Sequence, residues 1–143
     1  MSGFYGLDIP FLALLQAQDG PLEKGRATAS IEVREELHNS WRYAHGGVVM
    51  TLLDVTLGQA ARSSLPPGTG VVTVDLSISF ISAGLGRLTA EGRVLRSGRS
   101  IVFCEGDVRD EAGELVARAM GSFKVMDKRA GTPRLAAGQG KRA

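Results

Sequence analysis

The chain has 143 residues and a mass of 15.1 kDa, room for one hydrophobic core, which excludes an enzyme with a separate cofactor-binding lobe. Hydrophobic residues make up 43% and charged residues 22%, close to the soluble globular average, so a disordered or membrane-embedded class is excluded as well. The net charge of +2 arises at the end of the chain, where Lys128, Arg129, Arg134, Lys141 and Arg142 face only Asp127; that segment carries +4 and leaves −2 for residues 1–126. The core is therefore not a nucleic-acid surface. Residues 1–126 are expected to form one domain and residues 127–143 a basic, flexible tail.

Cys104 is the only cysteine, so neither an internal disulfide nor a cysteine metal cage can form, as suits a reducing compartment. No cationic segment followed by a signal-length apolar run opens the sequence, and its apolar stretches are too short to span a bilayer. A cytoplasmic protein without membrane contact is the expectation.

In chain order, Pro10 to Gln18 places Phe11, Leu12, Leu14 and Leu15 behind a proline suited to a first helical turn, which predicts a short amphipathic helix. A turn at Asp19-Gly20-Pro21 leads to Lys24–Arg34, where Ala27, Ala29, Ile31 and Val33 alternate as in a half-buried strand. After a polar segment, Gly46 to Arg62 is apolar nearly all round, the mark of a helix buried in a core. Leu65-Pro66-Pro67-Gly68 stops it. Val72, Val74, Leu76, Ile78 and Phe80 then alternate with polar residues, predicting a strand with those five on its apolar face. Leu88–Leu95, Ile101–Val108 and Leu115–Val125 follow, joined by short glycine-bearing turns. The pattern predicts an α+β domain: a strand, a long buried helix, then four strands in a meander, with the antiparallel sheet wrapped around the helix.

Three features carry chemistry. Asp54 lies mid-helix with no lysine or arginine between Tyr43 and Ala61, and burying an unpaired carboxylate is costly. Two readings are open: it accepts hydrogen bonds from a distant strand or another subunit, or it lines a cleft as general base or nucleophile. His45-Gly46-Gly47 sits where the helix starts, where backbone N–H groups lack intrahelical partners and glycine admits a ligand closely. Either it forms an oxyanion hole, with Asn39 nearby, or it permits a sharp turn. Arg96-Ser97-Gly98-Arg99-Ser100 is a hairpin tip, either simply solvated or offering cations and N–H donors to phosphates. His38, His45 and Asp54 lack metal-ligand spacing, so no metal is expected. Gly-x-Ser-x-Gly, Walker and dinucleotide-binding motifs are absent, and Cys104 sits mid-strand.

Asn39-Ser40-Trp41-Arg42-Tyr43-Ala44-His45-Gly46-Gly47, with Leu52-Leu53-Asp54 following, resembles the signature of hotdog-fold acyl-CoA thioesterases of the phenylacetic-acid-degradation (PaaI-like) type. Gly70-Val71-Val72-Thr73-Val74-Asp75 resembles the strand that follows the helix in that family, and the likeness runs over residues 25–126. It implies hydrolysis of an aryl or short- to medium-chain acyl-CoA to the free acid. Asp54 would activate water or attack the thioester, Gly46 N–H would polarise the carbonyl, and Asn39, His45 and Thr73 would support them. Thr73 stands where some members carry serine. Gly47 and the hairpin from Arg96 to Ser100 would contact CoA, which enters only as part of the substrate, with no cofactor. Family active sites lie between subunits, so a homodimer is the smallest active unit implied, commonly within a tetramer. The alternatives are a non-catalytic acyl-CoA sensor, which would not need Asp54, and an acyl-thioester dehydratase or hydratase, whose acid/base placement the His45 and Asp54 spacing does not match.

Overall fold

The computed structural model describes residues 3–127. Helix α1 (Pro10–Leu15) ends before the expected Gln18, because Gln16 turns left-handed at φ 59° and closes the helix with its N–H on Ala13 O. Strand β1 (Gln18–Glu23) follows, where the sequence shows only a turn. Gly20 and Pro21 are tolerated within it because β1 is an edge strand, pairing only with β2 (Arg26–Glu32), and the register slips between Asp19 and Leu22. Helix α2 (Gly46–Ser63) is the predicted central helix, and Pro66-Pro67 follow its last turn. Strands β3 (Thr69–Phe80), β4 (Arg87–Ser97), β5 (Ile101–Arg109) and β6 (Leu115–Asp127) complete the fold. Strand β6 includes Asp127, with which the expected tail began; residues 128–143 lie outside the described residues.

The six strands form one antiparallel sheet in the order β1-β2-β4-β5-β6-β3. Only β4, β5 and β6 form a meander, which corrects the four-strand expectation. The link from Ile81 to Gly86 carries the chain past the ends of β5 and β6, so that β3 lies at the far edge. This link is fastened by Ile81 and Ser82 N–H on Val116 O and by Val33 N–H on Gly86 O.

Helix α2 lies across one face of the sheet, and the residues beneath it are small: Ala29, Ala90, Gly92, Gly106, Ala119 and Gly121. A Cβ at Gly92 would stand 3.1 Å from Thr56 O and 3.2 Å from Leu57 Cα, so the helix backbone itself rests on this glycine. Leu52, Leu53 and Leu57 are fully shielded in the interface, each contributing about 2 kcal/mol of burial. The helix is not buried all round, however. Met50 is 46% exposed, and Thr51, Asp54 and Val55 are half-buried along one stripe. Sequence periodicity misses this because the stripe is apolar apart from Thr51 and Asp54.

A second correction concerns β3. Its pairing with β6 aligns Thr73 with Phe123 and Asp75 with Ser122, leaving Val74 as the extra residue of a bulge. A bulge reverses which alternate residues face the helix. Val71 and Thr73 face inward before it and Leu76 and Ile78 after it, while Val72 and Val74 are 52% and 59% exposed. The strict alternation read from Val72 to Phe80 therefore holds only beyond the bulge. No helix among the described residues is long and apolar enough to cross a membrane.

Candidate active site

The start of α2 is assembled by the loop before it. Asn39 Oδ1 accepts from Trp41 N–H at 2.9 Å and Tyr43 N–H at 3.1 Å, and Asn39 N–H donates to Tyr43 O at 2.7 Å. Arg42 takes φ 67° inside this turn. The carbonyl oxygen of the Asn39 side chain is thus committed to shaping the loop, leaving its NH2 as the group with donors to spare.

His45 is the N-cap of α2, in extended backbone conformation, and its N–H anchors on Leu37 O at 2.8 Å. Its ring Nδ1 accepts from Gly47 N–H at 2.9 Å, so neutral His45 carries its proton on Nε2. A Cβ on Gly47 would stand 3.1 Å from that Nδ1; glycine at 47 lets the imidazole fold over the helix end. His45 O accepts from Val48 and Val49 N–H. Of the first four N–H groups of the helix, three are therefore satisfied. Gly46 N–H is the one with no partner among the described residues. A free N–H at a positive helix terminus, on a residue without a side chain, is what an oxyanion site requires. Gly47, expected to contact substrate, has its N–H already occupied by His45.

Two turns further on, half-buried Asp54 receives the hydroxyl proton of Thr73 on Oδ1 at 2.6 Å. The carboxylate is thus neither fully buried nor unpartnered. The bulge at Val74 makes this contact possible by ending the inward phase of β3 on Thr73. Asn39, His45 and Gly46 gather at the N-terminus of α2, whereas Asp54, two turns further along that helix, pairs with Thr73 of β3.

The hairpin from Arg96 to Ser100 lies elsewhere again. Gly98 N–H bonds Ile101 O at 2.8 Å, and Ser100 O accepts from Val125 N–H at 2.8 Å. Gly98 and Arg99 border a cleft of about 780 Å³ whose other wall is Leu65 to Thr69. Arg96 and Arg99 are exposed and make no ion pair among the described residues; Arg99 lines the cleft, together with Asp127, and Arg96 does not. Cys104 points into the core beneath α2, where burial pushes its thiol up to about 12, so it stays a packed, protonated side chain. His38 is half-buried with Nδ1 unpartnered. Gln59, which sequence reasoning missed, is 8% exposed, and its Oε1 likewise has no partner among the described residues. A lone amide between Leu57 and Ala61 was the signal available for it.

An antiparallel sheet wrapped on one central helix is the hotdog fold, and the chain's family match and relatives make it a thioester hydrolase. The chain belongs to the thioesterase superfamily, whose model matches residues 42–117. It is 37% identical over 106 residues to a candidate esterase of Saccharolobus solfataricus, covering 73% of this chain and 75% of that one. It is 31% identical over 97 residues to acyl-coenzyme A thioesterase 13 of Homo sapiens, covering 66% and 69%. Among solved structures, a Bacillus halodurans protein crystallised with CoA superposes with a TM-score of 0.79 at 31% identity, covering 85% of this chain and 81% of its own.

Proposed function

We propose that the protein hydrolyses acyl-CoA thioesters to free acid and CoA, with Asp54 as base or nucleophile and Gly46 N–H as oxyanion donor. The observation that carries this reading is the single unpartnered N–H at the helix start, combined with the Thr73-held carboxylate on the same helix. A thioester carbonyl is electrophilic enough for a positioned carboxylate, a water and one strong donor to suffice. Asn39, through its NH2, and His45, through Nε2–H, supply further donors beside Gly46.

These groups act together only across two chains. Gly46 and Asp54 are eight residues apart, about 12 Å along the helix axis. One carbonyl carbon cannot lie within bonding reach of both. A second copy that brings its Asp54 towards this chain's Gly46 resolves the separation and creates two equivalent sites, so a homodimer is the smallest active unit, with a tetramer compatible with it. Arg96, Ser97, Gly98, Arg99 and Ser100 are assigned to the CoA phosphates, by the exposed cations Arg96 and Arg99 and by the cleft that Gly98 and Arg99 border. The likeness to a human acyl-CoA thioesterase and to a CoA-bound structure supports the substrate class. No cofactor has a part in this chemistry.

The test is thiol release from a panel of aryl, short-chain and medium-chain acyl-CoAs by the wild type, Asp54→Asn and Asp54→Ala. Loss of turnover in both variants with retained CoA binding is expected. Undiminished hydrolysis in both would reject the role of Asp54, and CoA binding without turnover on any thioester would favour a sensor.

A further inference from the structure

Helix α2 has one uncovered stripe. Along it Gly46, Met50 and Asp54 recur at every fourth residue, so they share a face, each about 6 Å from the next. Met50 is 46% exposed, whereas Leu52, Leu53 and Leu57 on the sheet side are shielded. Apolar surface continues past the helix start, because the ring of Phe80, 56% exposed, stands 3.5 Å from the position of a Cβ on Gly46. The stripe borders β3, to which Thr73 ties Asp54 and whose outer side has no paired strand among the described residues.

A two-chain site constrains how a second copy can meet this stripe. In a symmetric dimer each chain gives its partner the same contacts that it receives. Gly46 facing the partner's Asp54 therefore requires Asp54 facing the partner's Gly46. Parallel helices fail this condition, since they keep the two groups about 12 Å apart along the axis and set the two carboxylates side by side. Antiparallel helices meet it, and each carboxylate then rests at the positive end of the other helix. Position 50 lies midway between 46 and 54. In the antiparallel arrangement it stands opposite its own copy.

We propose that Met50 packs against the partner's Met50 on the two-fold axis of the dimer, and that this one contact sets the spacing of both active sites. The inference rests on the shared-site thioesterase reading and names the contact through which the second copy completes the site. Methionine suits an axis position, because an unbranched, flexible side chain can fit against its own copy. Met50 touches no reacting atom and is a positioning residue.

Self-pairing has a signature that an off-axis contact lacks. Met50→Lys alone and Met50→Glu alone set like charges face to face, and each should weaken the dimer about 100-fold or more. An equimolar mixture of the two variants brings opposite charges together and should restore dimers, nearly all of them mixed, as native mass spectrometry reads directly. Thiol release from a good acyl-CoA should be lost with the dimer and return in the mixture. Met50→Cys, a milder change, should join two chains through a short bismaleimide, whereas the wild type, whose Cys104 is buried, should not. Dimers that persist in both charge variants, variants that stay apart when mixed, or a cysteine variant that fails to cross-link would each overturn the placement of Met50 on the axis. A mixture that dimerises without regaining turnover would overturn its role in spacing the sites. The assembly readouts do not use catalysis, so a wild type that releases thiol from no acyl-CoA would separately reject the thioesterase reading beneath the proposal.

Discussion

Thr73 donates its hydroxyl proton to Asp54 Oδ1 across 2.6 Å, tying an edge strand to the middle of the central helix. The contact depends on the bulge at Val74, because an unbroken β3 could not present both Thr73 and Leu76 inward. In the proposed mechanism Thr73 would be a positioning residue, holding one carboxylate oxygen of Asp54 and leaving the other for water or thioester.

Replacing Thr73 by Val should lower kcat roughly tenfold with little change in KM, since the lost bond orients the reacting group and not the substrate. Thr73→Ser should recover most of the rate. Steady-state kinetics on one good acyl-CoA decides this, and a Val variant with normal kcat would remove Thr73 from the mechanism.

Gly46→Pro is a clean probe of the oxyanion donor. Position 46 is the first helical residue, where proline is tolerated, and His45 before it already has the extended conformation that a following proline demands. The variant should fold and lose about 100-fold or more in kcat. Mixed after unfolding and refolding together, Gly46→Pro and Asp54→Asn should regain about a quarter of wild-type activity. Half of the randomly formed dimers are mixed, and each of these holds one site with both groups intact. Failure to regain activity would contradict sites shared between chains.

The close seating of α2 on the sheet predicts an intolerant position. A Cβ at Gly106 would lie 2.4 Å from Glu91 O and 2.6 Å from Leu57 Cδ1. Gly106→Ala should destabilise the protein by about 2 to 3 kcal/mol through overpacking, visible as a lower midpoint in urea. An unchanged midpoint would show that the helix can lift without penalty.

Cys104 gives a pH prediction. Burial pushes its thiol up to about 12 from its ordinary value of 9.0. Above pH 9 the unfolded chain has released this proton while the folded chain retains it, so this contribution to stability is complete below 9 and is lost as pH rises from 9 towards 12. A thiol-labelling reagent at pH 8 should modify Cys104 only at the rate of unfolding. Comparison with Cys104→Ala should show a gentler alkaline decline for the variant.

The elements with a strong period were legible in the sequence: α2 was placed from Gly46, and β4, β5 and β6 matched their alternation. The candidate site residues stood out in the sequence because Asp54 and the His45-Gly46-Gly47 run break an apolar pattern. What escaped depended on pairing between distant segments. Strand β1 carries Gly20 and Pro21 and exists only because β2 lies beside it. The bulge at Val74 becomes visible only once β6 fixes the register of β3. The far-edge position of β3 is likewise a property of the sheet and not of any local stretch. The commitment of Gly47 N–H to the His45 ring, which singles out Gly46, follows from a side-chain torsion that no spacing encodes.

The two borders of the sheet are unequal. On one side β1 is short, slipped in register and interrupted by Pro21; on the other β3 runs twelve residues with no strand paired to its outer side among the described residues. A sheet blunted on one flank and open on the other can accept a single neighbour, and two such molecules joined open flank to open flank present only blunted ones. In a dimer joined that way lateral growth would halt at two, and an irregularity in a surface hairpin would act as a safeguard against fibres.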